Sequence, residues 1–146
     1  MSTHQGIIIA YFYPMTGRPG VNLPEGWDQI PGARGCSPQA CAYRDHYAEL
    51  TALGVGAVYG ISTQDTDYQA EAQQRLHLPF PLLSDSSLQL THALKLPTFK
   101  VPEVGELTKR LTLIIRDGKI VECFYPVFPS NSDAGKVLSF LRDNKP

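Results

Sequence analysis

Two thiols five residues apart dominate the chemistry this sequence could carry: Cys36 and Cys41 in "GARGCSPQACAYRDH", residues 32–46. Such a pair can clip a metal, pack as two small apolar side chains, or react. A zinc site needs about four ligands, and near these cysteines the sequence offers only His46, with His4, His77 and His92 scattered. No metal and no cofactor is expected. Cys41 reads on its own as a small core residue inside a helix, since free cysteine is commonly buried. Cys36 differs. It precedes a helix start, among glycines and beside Arg34, where helix-end N–H groups and a cation favour a thiolate. Cys123, within a strand-like run, reads as a packed residue. Arg44, Asp45 and His46 read as a solvated helix face, and Arg110 stands at the head of a buried strand.

These residues need a frame. "GIIIAYFY" (6–13) is β-branched and aromatic and predicts a buried strand. The stretch that follows, residues 14–35, holds four prolines and five glycines; that density predicts a long ordered loop, a lid with Trp27 and Ile30 to pack it. Ser37 as N-cap and Pro38 at the first helical position predict a helix to Leu53 that ends on Gly54. A strand over 55–63, a helix from Asp65 or Thr66 to about Leu76, a short strand over 80–85 and a helix over 87–94 continue the alternation. Asp117-Gly118 inside 110–128 is a hairpin signal, and a helix over 132–142 carries Val137, Leu138, Phe140 and Leu141. The pattern predicts an α/β sandwich with a mixed sheet, as a single domain over 1–146.

Composition narrows the partners. With 13 basic and 14 acidic side chains, the chain lacks the positive field that nucleic acid or an anionic membrane demands. An odd count of three cysteines in 146 residues is no disulfide framework and fits a reducing compartment. The run at 6–13 lacks the flanks of a signal peptide and is too short to span a bilayer, so a soluble, cytoplasmic protein is expected. "GVGAVYG" lies between a helix end and a strand, the wrong context for a dinucleotide fingerprint, and no P-loop or G-x-S-x-G elbow occurs.

"GCSPQACAYRDHYAEL" (35–50) resembles the active-site helix of the peroxiredoxins, in particular the Q-type or bacterioferritin-comigratory group, with its pattern P-x-x-x-T-P-G-C-T-x-x-x-C-x-x-R-D. "FYP" (12–14), "VYGIST" (58–63), "PFPLLSD" (79–85) and "KRLTLIIRDGKI" (109–120) match the strands around that helix, in order. The resemblance implies a thioredoxin-like sandwich, a central mixed sheet flanked by helices. It implies a thiol-dependent peroxidase for hydrogen peroxide or alkyl hydroperoxides, re-reduced by a thioredoxin-like protein, as a monomer or homodimer. By position, Cys36 would attack the peroxide, Cys41 would resolve the sulfenic acid as an intramolecular disulfide, Arg110 would hold thiolate and peroxide oxygen, and Pro14 would shield the sulfur.

The likeness has departures. Gln29 and Ala33 stand where the family has its proline and threonine before the attacking cysteine, so an insertion separates Pro14 from Cys36, and Thr16 is assigned the missing hydroxyl. The family's N-terminal hairpin has no counterpart before Gly6, which implies a shortened N-terminus. These departures keep an alternative open: a catalytically weak thioredoxin-fold redox sensor or binding protein. A thiol–disulfide exchanger is disfavoured by C-x-x-x-x-C in place of C-x-x-C.

Overall fold

The computed structural model describes residues 6–15, 36–101, 105–125, 127 and 132–143. The greater part of the proline- and glycine-rich stretch, with Thr16, Arg18, Trp27, Gln29, Ile30, Ala33 and Arg34, lies outside them.

β1 (Ile7–Phe12) is buried along its whole length, as a run without polar residues must be when both sheet faces are covered. It pairs in parallel with β2 (Val55–Ser62) and antiparallel with β6 (Leu111–Arg116). The five-stranded mixed sheet runs β3-β2-β1-β6-β7, with β3 at Leu82–Ser84 and β7 at Lys119–Phe124. Alternation along β1 sorts the two cores. Ile7, Ile9, Tyr11 and Tyr13 face one cluster, shared with Cys36, Ala40 and Tyr43 of α1 (Cys36–Asp45), Leu50 of α2 (Tyr47–Ala52), Ala72 of α3 (Thr66–Arg75) and Val137, Leu138 and Leu141 of α5 (Asp133–Asp143). Ile8, Ala10 and Phe12 face the other, where Leu90 of α4 (Gln89–Ala93), Leu94 and Leu96 pack. This is the α/β sandwich with a mixed sheet that the sequence pattern predicts, in the thioredoxin-like form that the family resemblance implies.

Local chemistry explains the element ends. The Asp65 side chain accepts a hydrogen bond from the Tyr68 N–H at 2.8 Å and caps α3. Asp117 and Gly118 both adopt positive φ, 51° and 82°, the geometry of a two-residue hairpin turn whose twist suits the strands. The Asp117 carboxylate also accepts from the Gly6 N–H at 2.8 Å, tying the start of β1 to the hairpin.

Three expectations need correction. The helix foreseen with Ser37 as N-cap and Pro38 as its first residue starts two residues earlier, with Cys36 in its first turn and Ser37 inside the helix, not at its cap, and it is divided at His46. Backbone bonds from His46 N–H to Ala42 and from Leu50 N–H to the His46 carbonyl continue across the break, so one distorted residue separates two nearly continuous helices. Second, the segment after Lys95 had no assigned structure; it forms a two-stranded sheet of β4 (Thr98–Val101) and β5 (Gly105–Thr108), whose short apolar alternation is weak as a pattern. Third, Cys123 is exposed, not packed, because β7 is the sheet's edge strand and most of its residues face outward.

Gly60 on β2 sits where a Cβ would lie 2.5 Å from the Tyr11 hydroxyl oxygen and 2.5 Å from a Leu82 methyl. Tyr11 stacks on Tyr43 of α1, ring centroids 4.6 Å apart, so a side chain at 60 pushes on the ring that seats this helix. Gly60→Ala is expected to destabilise the protein by about 1–3 kcal/mol, as overpacking does, read as a lower urea midpoint at unchanged slope.

Candidate active site

The site forms at the C-terminal end of β1, where the start of antiparallel β6 and the first turn of α1 meet. Because Phe12 pairs with Leu111, Arg110 lies at the sheet end where β1 runs out into Tyr13 and Pro14. Strand alternation then turns Arg110, Thr112 and Ile114 toward the face covered by α1 and α5. Lys109 is held from the other side: its N–H donates to the Pro97 carbonyl at 2.9 Å. Asp85 caps α4 through the Leu90 and Thr91 N–H groups, and the Thr91 hydroxyl meets that of Thr108 at 2.9 Å. The β4–β5 hairpin thus braces the approach to Arg110.

Cys36 is buried, 3% exposed, and opens α1, whose first N–H groups have no partner within the helix. Arg110, also 3% exposed, places Nη2 at 3.2 Å from Cys36 Sγ and donates through Nη1 to Gln39 Oε1 at 2.6 Å. Gln39 donates in turn through Nε2 to Asp133 Oδ2 at 2.8 Å. The same oxygen accepts from the Tyr43 hydroxyl at 2.9 Å and from the Thr112 hydroxyl. Burial, and then the nearby Asp133 charge, push the Tyr43 phenol well above its ordinary range, so it remains a neutral donor. Tyr13, at the same sheet end, is likewise pushed up by burial and donates to Gln69 Oε1 at 2.7 Å.

Of the residues singled out in the sequence, Cys36 and Arg110 are in direct contact. Cys41 lies on the same helix, half-buried, its thiol free. Pro14 is buried just beyond β1, and Met15 beside it packs on the β4–β5 hairpin. Thr16 lies outside the described residues. Arg44 pairs with Asp45 at 3.1 Å and binds the Leu76 carbonyl, and His46 meets Glu49 at 3.1 Å; these are surface and helix-linking contacts, as the solvated-face reading expected. Cys123 stands apart from the site, its thiol pushed up by desolvation and then by the charge of Glu122. No group of three or more metal-ligating side chains occurs among the described residues, nor does any helix there have the length and apolarity to cross a membrane.

Sequence reasoning missed Gln39, Thr112 and Asp133. Gln39 was within reach: three residues after Cys36 on a helix, it must share a face with it. Asp133 had no such signal, because an aspartate at a helix start reads as an ordinary dipole partner.

The Redoxin family profile matches residues 10–138. The chain belongs to the redoxin family. It is 29% identical over 136 residues to the chloroplastic peroxiredoxin Q of Oryza sativa subsp. japonica, covering 92% of this chain and 54% of that protein; the chain spans about half the length of the curated relatives it matches. Among solved structures, the peroxidoxin BcpB of Mycobacterium tuberculosis superposes with a TM-score of 0.76 at 24% identity, covering 99% of this chain and 84% of that one. The bacterioferritin comigratory protein of Xanthomonas campestris, whose structures concern alkyl peroxide reduction, gives 0.72 at 19% identity, covering 96% and 80%. Within the family the likeness is to the Q-type, or bacterioferritin-comigratory, peroxiredoxins.

Proposed function

We propose that the protein is a thiol-dependent peroxidase acting on hydrogen peroxide or alkyl hydroperoxides, with Cys36 as the attacking thiolate. The observation that carries this reading is the buried Cys36 Sγ at 3.2 Å from Arg110 Nη2. Attack of the sulfur on the terminal peroxide oxygen forms an S–O bond and breaks O–O; the leaving oxygen departs with the electron pair and takes a proton to become water or an alcohol. Charge grows on that oxygen in the transition state, where a fixed guanidinium and helix N–H groups stabilise it selectively. Pro14, with no N–H of its own, shields the sulfur, and Thr16 supplies a hydroxyl to the peroxide.

The product, a sulfenic acid on Cys36, is captured by the Cys41 thiol, which forms a disulfide and releases water. A thioredoxin-like dithiol protein then reduces the disulfide by exchange, in a reducing compartment that keeps it supplied, the cytoplasm by expectation. Likeness to a peroxiredoxin Q and to a protein studied in alkyl peroxide reduction supports the substrate class. The test is turnover: thioredoxin, its reductase and NADPH are mixed with the protein and either peroxide. NADPH oxidation that requires both protein and peroxide is expected; oxidation no faster than without the protein would remove this reading.

Resolution needs motion. Cys36 and Cys41 sit on one helix, and residues five apart rise about 7.5 Å along its axis, beyond the roughly 7 Å Cα separation a disulfide allows. The first turn must therefore unwind. Oxidation with one equivalent of peroxide is expected to give a Cys36–Cys41 bond and faster hydrogen exchange between about Cys36 and Ala42. A Cys36–Cys123 or intermolecular bond, or equal protection in both states, would return Cys41 to a packing role.

A further inference from the structure

We propose that Asp133 is a positioning residue for the Cys36–Arg110 pair, acting through the side-chain amide of Gln39; the inference rests on the peroxidase reading above. An amide has two ends of nearly equal shape, one a donor and one an acceptor. Arg110 can use only the acceptor end, because a guanidinium facing an NH2 group sets donor against donor. Asp133 decides the matter. Its Oδ2 accepts from Gln39 Nε2 at 2.8 Å, which turns Oε1 to Arg110 Nη1 at 2.6 Å and leaves Nη2 on the sulfur at 3.2 Å.

Two further features point to this role. Gln39 and Tyr43 are four apart on α1, the helix of Cys36, and Thr112 follows Arg110 by two on the same strand face; all three donate to Asp133 Oδ2. One carboxylate from α5 thus ties together the two elements that carry the sulfur and the guanidinium. The second feature is what Asp133 does not do. Its side chain is fully buried, and among the described residues Oδ1 has no hydrogen-bond partner, so the carboxylate is not spent on capping its own helix, the ordinary use of aspartate at a helix start. Holding a carboxylate in the interior with one oxygen unsatisfied is costly, and its bonds are made across elements.

The experiment is a double-mutant cycle on the full chain, reading the rate of the first thiol oxidation by hydrogen peroxide. Asp133→Leu keeps the branched shape and removes the acceptor; Asp133→Asn keeps an oxygen where three donors converge; Gln39→Met removes the amide. All are made in a Gly135→Ala background, which stabilises α5 at a position where a Cβ meets nothing within 4 Å, so that Asp133→Leu remains folded. Asp133→Leu and Gln39→Met are each expected to slow oxidation roughly tenfold, Asp133→Asn to retain the rate within about threefold, and Asp133→Leu to have no further effect in the Gln39→Met protein, the signature of two residues acting in series. Asp133→Leu at the parent rate, or slowing Gln39→Met by the same factor again, would overturn the role. Should the parent itself oxidise no faster than free cysteine, the peroxidase reading fails and positioning is read from the Arg110 Nη–H resonances. These are expected to be resolved in the parent and Asp133→Asn and collapsed in Asp133→Leu; their persistence in Asp133→Leu overturns the inference independently of activity.

Discussion

Cys36→Ser is expected to cut thioredoxin-coupled peroxide consumption by at least about 10³-fold, to the background of the assay. The hydroxyl fits the space of the thiol, and Arg110 keeps its bond to Gln39, so the fold survives while the nucleophile is lost. Neither remaining cysteine can replace it. Cys41 lies in the middle of α1, away from the helix mouth, and Cys123 sits on the edge strand with a thiol pushed up by desolvation and Glu122, which lowers its thiolate fraction. Turnover near the original rate in Cys36→Ser would transfer the attacking role to one of them.

Arg110→Met is expected to slow the first oxidation by about 10²–10³-fold, the usual loss when one fixed donor to a developing oxyanion is removed. This substitution is not neutral for the fold. Arg110 is buried and satisfies Gln39 Oε1, and an acceptor stranded in the interior costs about 1–3 kcal/mol. Stability and rate therefore have to be measured together. Arg110→Lys separates the two effects: a lysine keeps the charge but cannot bond the sulfur and the amide at once with a planar fork, so it is expected to recover only part of the rate. An unchanged oxidation rate in Arg110→Met would make Arg110 a strand-end residue and move the cationic role to Arg34 or Arg18.

Much of the framework was legible in the sequence because it is written in local signals. The apolar run at 6–13, the Asp65 cap and the Asp117-Gly118 turn each prescribe their own geometry, and β1, α3 and the β6–β7 hairpin follow. The order of elements then implied the sandwich. The β4–β5 sheet was not legible, because its two four-residue strands are too short for a period to stand out and are held by Val101, Leu107 and the distant Met15. Cys123 was misread for a related reason: alternation says which residues share a face, not whether a strand lies at the centre or the edge of a sheet. In the site, Cys36 stood out by its place before a helix start and Arg110 took its role from the family resemblance, yet their contact spans 74 residues of sequence and depends on β6 lying antiparallel to β1. The Gln39–Asp133 link spans 94 residues, and neither residue type advertises it.

The central claim, that Cys36 under Arg110 is a peroxide-reactive thiolate resolved by Cys41, is tested most directly by a single turnover without reductant. The reduced protein is mixed with one equivalent of hydrogen peroxide, quenched over time, and its remaining thiols are counted. The account predicts rapid loss of two of the three thiols, much faster than for free cysteine, with the third retained and assigned by peptide mapping to Cys123. Thiol loss at the rate of free cysteine would contradict it, and would leave a thioredoxin-fold protein whose buried cysteine senses or binds without catalysing peroxide reduction.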